Sequence, residues 1–185
     1  MRRRAIAVLA LAAAAALGAC GSGTEPKPAP ANPLADTADQ VMFGITTLIT
    51  NQGVLRAQLH ADTAYFFDGS TRIEVRNERT NFYTSTGQQN AVLTSREGTY
   101  AMPRGEMIAR KNVVVVTTDG RRLETEQLRY LQGVNQISSD SAFVLTQPTG
   151  VLHGIGFISD PDLHNLQVKQ VITGGGTFTL PGQKP

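Results

Sequence analysis

Cys20 is the only cysteine in the chain of 185 residues, and it follows Leu17-Gly18-Ala19 at the end of an apolar run. A thiol is the most nucleophilic side chain near neutral pH. Here it stands where one particular chemistry is feasible. Gly18 and Ala19 are small enough for a protease to hold the backbone extended, and the Cys20 sulfur is placed to take a diacylglycerol before the cut. The other residue types with catalytic potential are scattered. His60, His153 and His164 show no metal-ligand spacing, and without a second cysteine they do not read as a zinc site. No Gly-rich phosphate loop, nucleophile elbow or close carboxylate pair is present. The chain therefore reads as a non-enzyme without metal or cofactor.

The element that positions Cys20 is the N-terminal segment. Arg2, Arg3 and Arg4 precede an apolar stretch from Ala5 to Leu17. A basic start, a short apolar stretch and small residues at a cut site make a secretory signal. The stretch falls well short of the ~20 residues of a spanning helix. Leu17 to Cys20 resembles the bacterial lipobox, so residues 1–19 read as a lipoprotein signal peptide and Cys20 as the lipidated, palmitate-bearing N-terminus. One acyl chain binds a membrane only marginally, whereas two or three on one cysteine hold firmly. With its only thiol acylated, the mature chain has no disulfide and must stand on its hydrophobic core. Lys and Arg number 17 against 15 Asp and Glu in the whole chain. Cleavage removes three arginines, leaving 14 against 15, and such a near-neutral protein has no basic face for nucleic acid.

Residues 20–39 form a lipidated N-terminus and Pro-rich linker, with Pro26, Pro28, Pro30 and Pro33 favouring extended chain. The folded domain spans 40–180, and 181–185 are a tail. Asp68-Gly69 and Asp119-Gly120 are the strongest hairpin signals, since both residue types accept positive φ. Further punctuation falls at Gly87, Pro103-Arg104-Gly105, Gly133, Pro148-Thr149-Gly150, Asp160-Pro161 and Gly174-Gly175-Gly176. Between these marks no long segment carries a 3.6-residue apolar period. The expectation is an all-β domain with almost no helix beyond a turn near Asp162 to Asn165.

A weak internal repeat supports this. Leu93 to Tyr100 matches Leu123 to Tyr130, with an earlier relative ending at Tyr65 and a later one starting at Leu152. Each copy is followed by a turn and an apolar strand. Short antiparallel strands repeated in this way stack along one axis, and a coiled or jelly-roll-like β structure with apolar side chains inward is the simplest solution.

The ordered series Gly53-Val54-Leu55, Ala61 to Tyr65, Leu93 to Tyr100, Asn112 to Val115, Asp119 to Thr125, Leu128 to Tyr130 and Gly154 to Phe157 resembles the LptC family, over roughly Phe43 to Val171. That resemblance implies an open, twisted β jelly roll of the OstA/LptA/LptC kind. It implies a membrane-anchored periplasmic protein of the cell envelope that receives lipopolysaccharide from an inner-membrane ABC transporter complex. The acyl chains would then pass along an apolar groove to a periplasmic LptA-like β bridge protein. Family members usually keep a transmembrane helix, which this chain exchanges for a lipid. The expected location is the periplasmic face of the inner membrane. Gly21 after Cys20 leaves the outer membrane open as well. The alternative is a scaffolding β lipoprotein that binds envelope proteins and carries no lipid.

The candidates for the interior, and by resemblance for the lipid groove, are Leu55, Leu59, Ile73, Val75, Leu93, Ile108, Val113, Val115, Leu123, Leu128, Phe143, Leu145, Ile155 and Phe157. Which of them point inward depends on strict alternation along each strand. Tyr65, Tyr100 and Tyr130 recur at one place in the repeat, either as strand-end packing or at the groove mouth. Arg104, Arg110, Lys111, Arg121 and Arg122 lie at or near turns, either solvated or facing phosphates or acidic partners. The candidate partner edges are Val41, Phe43 and Ile45 at one end, and Val168, Val171 and Ile172 at the other.

Overall fold

The computed structural model describes residues 32–176; Cys20, the signal segment and the 181–185 tail lie outside them. A short helix, α1 (Pro33–Thr37), precedes nine strands. It occupies part of the stretch read as linker, because Asn32 caps it by accepting from Leu34 N at 3.3 Å and Pro33 sits in the first turn, where its missing N–H costs nothing. The strands are β1 (Gln40–Asn51), β2 (Val54–Phe67), β3 (Arg72–Tyr83), β4 (Gln89–Ala101), β5 (Glu106–Thr117), β6 (Arg122–Leu131), β7 (Gln136–Gln147), β8 (Gly150–Ser159) and β9 (Gln167–Gly176). Single 3-10 turns join β4 to β5 and β6 to β7.

All nine strands form one sheet in chain order, each antiparallel to the next. Among the described residues β1 pairs only with β2 and β9 only with β8. The sheet is therefore open, and the all-β jelly-roll architecture holds. The Asp68-Gly69 turn has positive φ at both residues, as its composition dictates. At Asp119-Gly120 only Gly120 does, at φ 88°, because Thr117 accepts Gly120 N and its hydroxyl bonds the Asp119 carboxylate, tightening the turn from within. The hairpin between β1 and β2 turns on Gln52 and Gly53, a signal the composition carried without being read as a turn. Gly174 to Gly176, read as punctuation, lie within the last part of β9 and are paired with β8.

The short strands read from the sequence are halves of longer, bent ones. Register breaks cross the sheet in a row, between Thr94 and Glu97, Arg110 and Val113, Thr125 and Arg129, and Ser139 and Ala142. Left-handed backbone at Asn77, Lys111, Asn112 and Gly156 lies along the same line. A bulge bends its strand and resets which side chains face inward. On β3 the inward residues are Val75 before the bend and Thr80 and Phe82 after it; on β6 they are Leu123 before and Leu128 and Tyr130 after.

Bending along one line folds the sheet over, so that its two halves face each other as layers. Phe82 of one layer meets Tyr130 of the other edge to face, with centroids 5.0 Å apart. Two polar clasps join the mouths of the layers. Asn51 Nδ2 donates to Gln132 O at 3.3 Å and the Gln132 amide returns to Thr50 O. Arg121 donates to Leu163 O at 2.7 Å. The core lies between the layers, and the repeat Leu93 to Tyr100 and Leu123 to Tyr130 corresponds to β4 and β6, with both leucines and both tyrosines on the inner side.

Candidate functional site

The interior is built mostly as alternation requires. Leu59, Val75, Leu93, Val113, Val115, Leu123, Leu128, Phe143, Leu145 and Phe157 are buried in one cluster, and Ile73 packs against it. Leu55 is half-buried at the start of β2. Two of the interior candidates face the other way. Ile155 is 39% exposed on the outer side of β8, because the left-handed Gly156 follows it and resets the alternation before Phe157. Ile108 lies between the buried Met107 and Ala109 and so points outward.

The buried residues absent from that set include five on one stretch of the interior: Glu78, Thr80, Phe82, Met107 and Tyr130. The signal for the first three was present. Phe82, Thr80 and Glu78 are spaced by two, so they share one face of β3. Together with Leu93, Ala109 and Leu128 these five line an enclosed space of about 10 Å³, so the interior is filled in this state.

Glu78 is 4% exposed. Ser95 Oγ donates to its Oε1 at 2.7 Å. Burial dominates over that bond and pushes the carboxyl up from 4.5 to about 7. Gly98 of β4 makes the room: a Cβ there would overlap the Glu78 carboxyl and lie 2.7 Å from Val75 Cγ2. Burial likewise pushes the Tyr130 hydroxyl up to about 12, so it stays a donor, to Asn135 Oδ1 at 3.0 Å. Tyr100 donates to Gln132 Oε1 at 3.1 Å. Tyr65 does not share their setting. It lies outside the core cluster, accepts from Asn32 Nδ2 at 2.8 Å, and is covered by the Arg76 guanidinium.

The basic turn residues do not converge on one patch. Arg110 donates to Thr99 Oγ1, Lys111 reaches Glu97 at 2.8 Å, Arg122 reaches Glu124 at 2.7 Å, and Arg121 spans Asp119 and Leu163 O. Arg104 stands 3.9 Å from Glu106. His60 meets Thr46 Oγ1, and His164 lies between Asp162 and Asp119. Among the described residues no His, Cys, Asp or Glu cluster is arranged to hold a metal, and no helix is long and apolar enough to cross a membrane.

The two terminal strands carry the edge candidates. On β1, Phe43 is 77% exposed, while Val41 and Ile45 are half-buried. On β9, Val171 and Ile172 are exposed and Val168 packs against the core. Both strands leave one row of backbone N–H and C=O groups unpaired by the sheet, a template for a further strand.

Fold and site together define an open β jelly roll with an apolar interior and two free edges. The chain matches the model of the family described as lipopolysaccharide-assembly, LptC-related, over residues 7–175. It belongs to that family, whose members are transport components of lipopolysaccharide assembly associated with the periplasmic side of the inner membrane. No curated protein matches the chain.

Proposed function

We propose that this chain is a lipid-anchored periplasmic export protein that takes lipopolysaccharide from an inner-membrane ABC transporter and passes it to an LptA-like bridge protein. The observation that carries this reading is the single sheet left open at both ends, with an apolar space between its layers. Strand addition at β1 and at β9 joins such a sheet to neighbours on either side. The acyl chains occupy the space between the layers, along residues such as Leu93, Val115 and Leu128. Since that space is filled at rest, the layers part to admit them, and the Asn51–Gln132 and Arg121–Leu163 clasps release. Cys20 holds the domain to the membrane. The family match reaches back to residue 7 and so takes in the apolar run before Cys20, which supports a membrane attachment at that end.

A photoreactive amino acid at Val115, which is fully buried between the layers, should crosslink to lipopolysaccharide in cells. Depletion of the protein should hold lipopolysaccharide in the inner membrane. Normal surface lipopolysaccharide after depletion would defeat the proposal. The filled interior favours a second reading, a scaffolding β lipoprotein that binds envelope proteins only. That reading requires no lipid adduct from any inward position.

A further inference from the structure

One stretch of the interior is not hydrocarbon. Glu78 and Thr80 stand side by side on the inner face of β3, 4% and 1% exposed, and both line the space between the layers. Thr80 Oγ1 has no hydrogen-bond partner among the described residues. Glu78 Oε1 is taken by Ser95, while Oε2 lies over the bare Cα of Gly98. An unpaired buried hydroxyl has lost its bonds to water with nothing to offset them. A core selected for stability alone would carry valine at 80, which has the same shape and no such cost.

The chemistry of the pair restricts what it can recognise. Among the described residues the groups that act on Glu78 are its burial, which raises its proton affinity, and the Ser95 hydroxyl, which lowers it. From the layer opposite, the only titratable group lining the same space is Tyr130, a neutral phenol. A carboxylic acid beside a free hydroxyl offers two donors and several acceptors. It brings no positive charge to a phosphate and no paired charge to a cation. The walls around it are Phe82, Leu93, Met107 and Leu128. A guest that satisfies both walls and pair is a methylene chain bearing a hydroxyl.

We propose that Glu78 and Thr80 form a hydroxyl-recognition point inside the jelly roll, by which this domain favours hydroxyacyl chains over plain acyl chains. This rests on the lipid-carrying reading above and deepens it. The guest hydroxyl donates to one member of the pair and accepts from the other, and the rest of the chain lies against the apolar walls.

The test titrates the full chain, held in a lipid nanodisc, with tetradecanoic acid and with 3-hydroxytetradecanoic acid. Each competes with a fluorescent fatty-acid probe, and each is corrected for partition into empty nanodiscs. One satisfied hydrogen bond should make the hydroxy acid bind about five-fold tighter. Thr80→Val, which keeps the side-chain shape, and Glu78→Leu should each bring that ratio close to one. Equal binding of the two acids by the native chain would overturn the proposal, leaving the pair as a polar core site, bridged by water. A preference that survives both substitutions would overturn it too. If neither acid binds at all, the lipid-carrying reading falls along with it.

Discussion

Glu78→Gln should change how stability depends on pH, and by an amount the structure sets. The Glu78 carboxyl titrates near 7 in the fold and near 4.5 when exposed by unfolding. Between those values the folded chain holds a proton that the unfolded chain has lost, so stability falls as pH rises. Each unit of difference is worth 1.36 kcal/mol, so the full loss above pH 7 is about 3 kcal/mol. Most of it, about 2.5 kcal/mol, falls between pH 5 and pH 8. For a domain of this size that is roughly 5–10 °C of melting temperature. Three carboxylates paired in the fold lie outside this window. Glu97, Asp119 and Asp140 are held below ordinary carboxylate values by hydrogen bonds from Lys111, Thr117 and Lys169, so they titrate beneath it. Thermal unfolding followed by circular dichroism at intervals from pH 5 to 9 reads the effect. Glutamine keeps an acceptor for Ser95 but buries an extra amide donor, at a cost of about 1 kcal/mol. The variant should therefore melt close to the native chain at pH 5 and well above it at pH 8. Parallel profiles for the two proteins would show that Glu78 does not bury its proton, and the reasoning would fail.

Gly98→Ala forces a methyl into the Glu78 carboxyl and Val75; overpacking of this kind should lower urea-unfolding stability by about 1–3 kcal/mol. Val171→Lys combined with Ile172→Lys places charge on exposed positions of β9, so stability should stay within about 0.5 kcal/mol while capture of a periplasmic bridge protein in pull-downs falls sharply. Edge charge opposes strand addition, and undiminished capture would move the docking surface elsewhere. Cys20→Ser should shift the protein from the membrane to the soluble fraction on cell fractionation, since it removes the proposed acyl acceptor.

Under the proposed function the open sheet and the filled interior would carry different parts of the work. Free edges on β1 and β9 need no rearrangement to pair with a neighbour. The space between the layers does, because an acyl chain cannot enter about 10 Å³. The clasps that would have to release are few and lie at the mouths: the side chains of Asn51 and Gln132 on one side, and Arg121 against Leu163 on the other. Individual hydrogen bonds of this kind contribute only about 0.5–1.5 kcal/mol each, so opening at the mouths is far cheaper than unfolding the sheet.

Much of this was legible in the chain itself. Turn residues at Asp68-Gly69, Gly87 and Gly105 and the lack of helical periodicity dictated a sheet of hairpins, because such residues settle local backbone whatever surrounds them. The Leu93–Tyr100 and Leu123–Tyr130 repeat gave two strands their inward faces. The row of bends was decided only by the tertiary structure. Alternation is a local rule, and a single residue of left-handed backbone at Asn77 or Gly156 reverses it for everything that follows. That reversal sets the inward Phe157 apart from the outward Ile155, two residues before it. It also carried Glu78, which sits in a strand full of charge and reads as a surface residue, into the space between two layers. Its partner Ser95 and the room left by Gly98 come from another strand, brought opposite by pairing across the sheet. Burial of a charge-bearing group is a property of what packs around it, and that is settled when the layers close.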